Sequence, residues 1–505
     1  MFHNIVFCIV VGISNVVSFR ILCHHFRNHQ TSPRMTIKPD KSKGNIKIAA
    51  PEVEIKVSRQ TMDNSLQSIY QSPEAVAILS VYFVQGALGL SRLAVTYFLK
   101  DDLNLLPAES AALMGFTSLP WLLKPIYGFL SDGFPIYGYK RRSYLVIAGI
   151  MGCLSWIALG TIVHDASTAF LAITIGSLSI AISDVVVDSI VVERSRLLSE
   201  KDNELIDSNS KEIRTKASPA GADLQSLCWS ASSLGGIMSA YFSGSLLQYA
   251  TPKFVFLLTS IFPLIITGVS FLINEQPISN IEAATLNMST LLRNSTSQLK
   301  KIFSTMRNPS IYLPILFIFL WQATPSPDSA MFYFTTNELG FDPEFLGRIR
   351  LASSFASLAG VLSYRTWLKN VSARDIIFWT TLISVPLSLT QLLLTTHYNR
   401  VLGIPDQLFA LTDSVVLTVL GQIAFMPTLT LAAAVCPPGV EGTLFATLMS
   451  IYNASFTVGS ELGAGLTAFL GITDKSFDQL SLLVVICSLS SLLPLLFIDR
   501  FMKRV

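Results

Sequence analysis

Long apolar windows recur along this chain from residue 75 to residue 498, each near the ~20 residues a helix needs to cross a hydrocarbon core, with short polar breaks between them. Of the 505 residues, 51% are hydrophobic and 14% charged, whereas an average soluble domain carries about 25% charged residues. A water-soluble fold cannot hide that much apolar surface, so the chain reads as an all-α polytopic membrane protein. The net charge of +3, with no basic run interleaved with aromatics, gives no reason to expect nucleic acid. Cys8, Cys23, Cys153, Cys228, Cys436 and Cys487 are scattered and mostly sit inside apolar spans. That is neither a disulfide framework nor a metal-ligand spacing, so the thiols read as small buried residues and no cofactor or metal is expected.

Windows bounded by polar or Gly/Pro breaks predict twelve transmembrane helices near 75 to 99, 106 to 130, 143 to 163, 167 to 191, 223 to 248, 253 to 273, 311 to 336, 343 to 367, 375 to 396, 406 to 434, 441 to 470 and 478 to 498. A central linker at 274 to 310 divides them into an N-terminal six-helix half at 75 to 273 and a C-terminal half at 311 to 499. A polar tail at 51 to 74 precedes them and a basic tail at 500 to 505 follows. Loops after even-numbered helices are rich in Lys and Arg, among them Lys140, Arg141 and Arg142, while loops after odd-numbered helices hold only Lys100, Lys253, Arg400 and Lys475. Because Lys and Arg in short loops are retained on the cytoplasm-equivalent side, both termini and the linker are expected on the basic side. Residues 1 to 50 contain one acidic residue, Asp40, against seven Lys and Arg. An acid-poor, basic start with scattered serines fits an organelle transit peptide; a signal anchor at residues 5 to 19 and an internal start at Met35 are the competing readings.

An internal repeat supports the division. Tyr97-Phe98, Asp102-Leu103 and Pro107 recur as Tyr333-Phe334, Glu338-Leu339 and Pro343, each 236 residues on (333 minus 97). Parallel six-helix repeats, with a substrate near the midplane between them, are the plan of the major facilitator fold.

The loop after the second helix reads Gly128-Phe-Leu-Ser-Asp132-Gly-Phe-Pro-Ile-Tyr-Gly138-Tyr-Lys140-Arg141-Arg142. It resembles the major facilitator loop signature, in which a glycine permits close packing, an aspartate engages neighbouring helix ends and basic residues hold the loop on the cytoplasmic side. The segment between Asp132 and Gly138 is longer than usual. The fourth helix ends in Ser183-Asp184-Val-Val-Val-Asp188-Ser189-Ile-Val-Val-Glu193-Arg194-Ser-Arg196, and the seventh contains Pro325-Ser-Pro327-Asp328. With the loop, these strings resemble the plant and cyanobacterial folate-biopterin transporter family over most of the chain from about residue 72 to about residue 499. The resemblance implies a major facilitator fold, movement of folates or pterins across a membrane and, since plant members include plastid-envelope proteins, a chloroplast membrane location.

The charged residues inside spans stand out for their cost, about 2.5–3.5 kcal/mol each near the bilayer centre, which ties them to a cavity or a partner. Asp184 and Asp188 are four apart and share a helix face, and Lys124 lies at similar depth. They read either as a Lys-carboxylate tie between the second and fourth helices, or as a site where a carboxylate accepts pterin N–H groups or carries a coupling proton. Arg92 and Asp328 are related by the 236-residue offset. A salt bridge closing a gate is the preferred reading, with Arg92 holding a substrate carboxylate as the alternative. Pro325 and Pro327 remove two backbone donors and are expected to break the seventh helix beside protein or a wet cavity. Trp321, one turn before the break, is a candidate stacking platform for a pteridine ring or a packing residue. Arg348 and Arg350 either attract anionic folate or snorkel to the interface. Gln85, Gln322, Asn453 and Glu461 are further polar residues in spans with no role assigned.

An intramembrane enzyme would need a nucleophile-base or metal cluster, yet beyond the N-terminal region the only histidines are His164 and His397, both in predicted loops. No enzyme is expected. Transport of another small organic solute and a non-transporting scaffold are the rival functions, and periodicity alone does not separate a channel from alternating access.

Overall fold

The computed structural model describes residues 72–205, 219–277, 307, 309–368, 371–435 and 441–501. The expected targeting segment, nearly all of the polar tail, most of the linker and most of the basic tail lie outside the described residues. Among the described residues no strand forms, and the one β-bridge, Ile136 to Tyr139, closes the turn before Arg142.

In chain order the first rods are α1 (Pro73–Asp102), α2 (107–133), α3 (Arg142–Thr161), α4 (Ala166–Leu205), α5 (Pro219–Tyr249) and α6 (Pro252–Ser270). They are followed by α7 (309–338), α8 (Pro343–Leu368), α9 (Ala373–Thr395), α10 (Asp406–Val435), α11 (Glu441–Phe469) and α12 (Leu480–Phe501). Among the described residues, α1, α3, α4, α6, α8, α9, α10 and α12 are long and apolar enough to cross a membrane. The other four fall short for visible reasons. α2 is interrupted by a 3-10 turn at Leu119–Leu123, α7 stops at Gln322 and resumes at Asp328, and α5 and α11 carry many serines, threonines and glycines.

Helix starts follow local chemistry. Pro73, Pro107, Pro252 and Pro343 open α1, α2, α6 and α8, where the missing N–H has no helical partner to lose. Ser72, Thr251, Asp342 and Ser372 accept from the N–H three residues on, capping α1, α6, α8 and α9. Asp165 does the same before α4, and the Thr168 N–H and hydroxyl hold its carboxyl below the ordinary range. α4 runs past its expected end near 191 to Leu205, because the charged stretch from Glu193 is helix-forming and simply continues out of the apolar layer.

The repeat reappears in the backbone. α1 ends in a π-helical turn at Phe98–Asp102 and α7 in one at Phe334–Glu338. Leu103 N–H donates to Phe98 O (3.0 Å) and Leu339 N–H to Phe334 O (3.1 Å); Leu105 donates to Leu99 O (3.0 Å) and Phe341 to Thr335 O (2.9 Å). Asn104 (φ 52°) and Gly340 (φ 68°) then occupy the same left-handed step. Every member of each pair is 236 residues from its counterpart. The kink of α1 at Leu88–Gly89 likewise matches the α7 break at Thr324–Pro325.

Each half builds its own core. One buried cluster, centred on Phe98, Leu145, Leu159 and Phe256, draws only on residues 77–273; two others, around Phe334 and Leu480 and around Phe317 and Ile377, draw only on the second half. Chain ends and loops sort to two faces. Arg194 pairs with Glu74 (2.8 Å), and the Glu275 carboxylate accepts from the backbone N–H of Lys140 (2.6 Å) and Arg142 (2.9 Å), so the start of α1, the α2–α3 loop and the ends of α4 and α6 meet at one face, the basic one. Lys253 Nζ lies 3.4 Å from His164 Nδ1 at the other.

At that other face the halves are joined. Tyr333 donates to Leu105 O (2.5 Å), which leaves its oxygen to accept from Ser110 Oγ (2.8 Å), and Ser329 Oγ donates to Pro107 O (2.8 Å). Tyr97 and Phe332 rings meet edge to face at 5.4 Å. α5 and α8 touch backbone to backbone: a Cβ on Gly244 would lie 2.8 Å from Gly347 Cα, so no side chain fits there.

Candidate functional site

Three rods of the first half converge on a polar cluster. Lys124 opens the last segment of α2, just after the 3-10 turn, and its ammonium pairs with Asp184 of α4 while lying 4.5 Å from the centre of the Trp121 ring. One turn along α4, Asp188 accepts from the Tyr82 hydroxyl of α1, and the charges of Asp184 and Lys124 both act on it. The Lys-carboxylate tie between the second and fourth helices, one of the two sequence readings, is present as a contact. Asp184 is neutralised by Lys124, with side chains only 15% and 14% exposed, and reads as the tie. Asp188, with a hydroxyl as its partner, stays exposed. Tyr82 has no mark in the sequence, because a tyrosine in an apolar span looks like any packing aromatic.

Arg92 sits just beyond the α1 kink and is exposed. The expected gate pair with Asp328 is not formed, although the halves are joined at the face it was to close. The α7 rod resumes at Asp328, whose N–H turns back to Ser326 Oγ (3.2 Å) within its own half. Arg92 forms no ion pair among the described residues, and Arg350 of α8 is half-buried. Arg348 is taken by Glu344 at 2.6 Å.

Trp321 also departs from the stacking role. Its indole N–H donates to Thr381 Oγ1 of α9 (2.9 Å) and its ring packs on the Phe317–Ile377 cluster, so it is a packing residue of the second half. Within the α7 break, Thr324 and Ser326, which flank Pro325, lie on a glycine face of α11. A Cβ on Gly463 would meet Ser326 O at 2.1 Å, and one on Gly459 would meet Thr324 O at 2.7 Å. Those two glycines, four apart, let the unwound carbonyls approach, a role invisible until the break has a neighbour.

The loop signature holds together differently from expectation. Gly128 has room for a methyl, the nearest atom to an added Cβ being Val185 Cγ1 at 3.6 Å, so close packing does not require it. Tyr137 (φ 53°) and Gly138 (φ 83°) make the turn. Arg141 donates to Ser131 Oγ (3.1 Å), Arg142 lies over Phe271 at 4.5 Å, and the loop backbone from Lys140 is anchored by Glu275, a residue of the far end of the half that no loop motif contains. The Asp132 side chain lies outside what the structure describes. Of the unassigned polar residues, Gln85 Nε2 and Glu461 Oε1 are buried without a hydrogen-bond partner, the latter over Gly115 of α2. Cys153, Cys228 and Cys487 are buried free thiols.

The sequence profile described as the BT1 family matches residues 85–504. A protein of Synechocystis sp. named "Folate-biopterin transporter" is 49% identical over 425 residues, covering 84% of this chain and 81% of its own. "Probable folate-biopterin transporter 2" of Arabidopsis thaliana is 31% identical, covering 83% and 81%. "Folate transporter 2" of Plasmodium falciparum is 31% identical, covering 82% and 84%. Among solved structures, nucleoside transporter NupG superposes with a TM-score of 0.61 over 85% of this chain and 99% of its own, and a D-xylose-proton symporter with 0.58 over 85% and 98%, each at 13% identity. Those two likenesses speak for the fold alone, a polytopic helical architecture of the major facilitator type. With the profile matching most of its length and a relative 49% identical over most of both chains, this chain belongs to the BT1 family.

Proposed function

We propose that the protein is a secondary transporter that moves folates, pterins or both across a membrane by alternating access between its two halves, with twelve spans and both termini on the basic side. The observation that carries the site is Asp188: an accessible carboxylate deep in the bundle, hydrogen-bonded to Tyr82 and flanked by a neutralised Asp184–Lys124 pair. A carboxylate accepts from adjacent N–H donors, and the amino and ring N–H groups of a pterin present such a set. The names of the relatives supply the substrate class. The seam of Tyr333, Ser110 and Ser329 closes the site from one face, so substrate enters and leaves at the basic face in this arrangement.

Proteoliposomes should accumulate labelled folate or biopterin with saturable kinetics. A pH gradient that speeds uptake would add a coupling proton, and Asp188→Asn should cut uptake about tenfold or more at unchanged expression. Failure of wild type to move either compound would end the substrate assignment, leaving another small organic solute as the alternative.

The acid-poor first fifty residues support delivery to the chloroplast, with the protein in a plastid envelope membrane. Fused to a fluorescent reporter, residues 1 to 50 should direct it to plastids; a cytosolic or secretory pattern would refute this.

A further inference from the structure

We propose, on the alternating-access reading above, that Glu461 of α11 is a proton-binding site set into the contact between the halves. The neutral carboxyl packs against α2 while the seam is closed, and loss of its proton opens the seam. The ligand is a proton that comes from the solution at the seam face and returns there.

Glu461 sits where α11 of one half touches α2 of the other. A Cβ on Gly115 would lie 3.0 Å from Glu461 Cδ and closer still to Oε1, so the carboxyl fills the place that a side chain at 115 would take. Gly115 is buried, and Oε1 is buried without a hydrogen-bond partner. One turn back along α11, Thr457 Oγ1 meets Ser118 Oγ of α2 at 2.7 Å. With Ser329 on Pro107 and Tyr333 on Ser110, these contacts run along α2 inward from the seam face. Gly115 lies eight residues (115 minus 107) from the start of α2 and Glu461 eight (469 minus 461) from the end of α11, each about 12 Å along its helix. Glu461 also stands between Gly459 and Gly463, which admit the carbonyls of the α7 break. One stretch of α11 thus carries both the carboxyl and the support of the break.

A carboxylate in that place has nothing to answer its charge. No cation forms an ion pair with Glu461 among the described residues. α11 packs on α2, α7, α10 and α12. On α2, Glu109 accepts from the Leu106 N–H and Lys124 pairs with Asp184. On α7, Tyr333 is bonded to Leu105 and Ser110, while Asp328 and Glu338 are acids themselves. On α10, Asp406 pairs with Arg400 and Asp413 accepts from Thr390 and Gln391. On α12, Asp499 pairs with Arg374, and Arg500 stands at the opposite end of the bundle from the seam. An oxygen stripped of water and donors is tolerated in a neutral carboxyl and not in an anion. Parting α2 from α11 gives the carboxyl water and frees the proton. Because the closed form holds a proton that the open form gives up, acid favours closure and alkali favours opening.

Distances between spin labels at Asp101 and Glu338, exposed near the ends of α1 and α7, read opening of the seam with no substrate present. In wild type the ratio of open to closed populations should rise about tenfold or more between about pH 5 and about pH 8, within the limit of about tenfold per unit for one linked proton. Glu461→Gln keeps the shape of the neutral carboxyl, so its ratio should stay at the low-pH value throughout. Glu461→Met, also neutral and of similar length, serves the same comparison if the glutamine variant does not reach the membrane. His164 beside Lys253 and His397 beside Glu338 titrate at the same face, and a response that they carry would persist in both variants. A flat wild-type ratio, or a neutral variant that still responds to pH or stays open throughout, overturns the site. Wild type that opens with pH as stated yet moves neither folate nor biopterin ends the substrate reading and leaves the proton site standing.

Discussion

Lys124→Met should leave little protein in the membrane, and adding Asp184→Asn should bring it back. Lys124 and Asp184 are both about six-sevenths buried, so the single change strands a carboxylate in a low-dielectric setting. Breaking a buried pair in this way costs about 3–5 kcal/mol, a large share of the ~5–15 kcal/mol that holds a typical domain folded. The contact with the Trp121 face is lost as well. Replacing both partners by neutral groups of similar shape removes the stranded charge, and such exchanges are often neutral. Membrane levels measured by fluorescence of a C-terminal tag, with folate uptake per molecule beside them, separate the tie from the contact. The double variant should recover at least half of the wild-type level and retain transport, since Asp188 and Tyr82 are intact. A single variant that accumulates like wild type would show that the pair ties nothing.

Tyr333→Phe should tilt the protein toward opening at the seam. Tyr333 is fully buried, and its hydroxyl serves Leu105 O and Ser110 Oγ in the other half. Losing it leaves a buried carbonyl and a hydroxyl short of a partner, at about 1–3 kcal/mol, and only in the closed arrangement. Such a differential shifts a two-state equilibrium about five- to 150-fold. Spin labels at Asp101 and Glu338, both exposed near the ends of α1 and α7, should report a new population at longer distance. An unchanged distance distribution would mean that the ring contact of Tyr97 with Phe332 and the Gly244–Gly347 approach hold the seam unaided.

Much of the architecture was legible in residue order because in lipid each helix satisfies its own backbone, and apolar length alone marks a span. The expected windows fall on the observed rods within a few residues, apart from the α4 extension. The repeat was legible for a related reason. Tyr97, Phe98, Leu103 and Pro107 specify a local device, a π-helical turn, a left-handed step and a proline start, and the same residues 236 positions on build it again. The Pro325 and Pro327 break and the Lys124–Asp184 pair were open to the same local reasoning, since missing donors and stranded charges are properties of the residues themselves.

Partnership across the fold was not open to it. Symmetry put Arg92 and Asp328 at equivalent places in two repeats, but equivalence under a repeat is not contact. The α7 break turns the Asp328 N–H back to Ser326 Oγ within its own repeat, and no ion pair joins Asp328 to Arg92. Trp321 looked the same in sequence whether it faced a cavity or Thr381. Tyr82, Tyr333 and Glu275 act through residues more than a hundred positions away, and no local pattern encodes such a pairing. The sequence by itself determined the helices, their breaks and the charges that need an answer, because those follow from the chemistry of neighbours along the chain. Which group answers each charge was decided only by the packing of helices from both halves, because a hydrogen bond depends on distances of about 3 Å that only the assembled bundle sets.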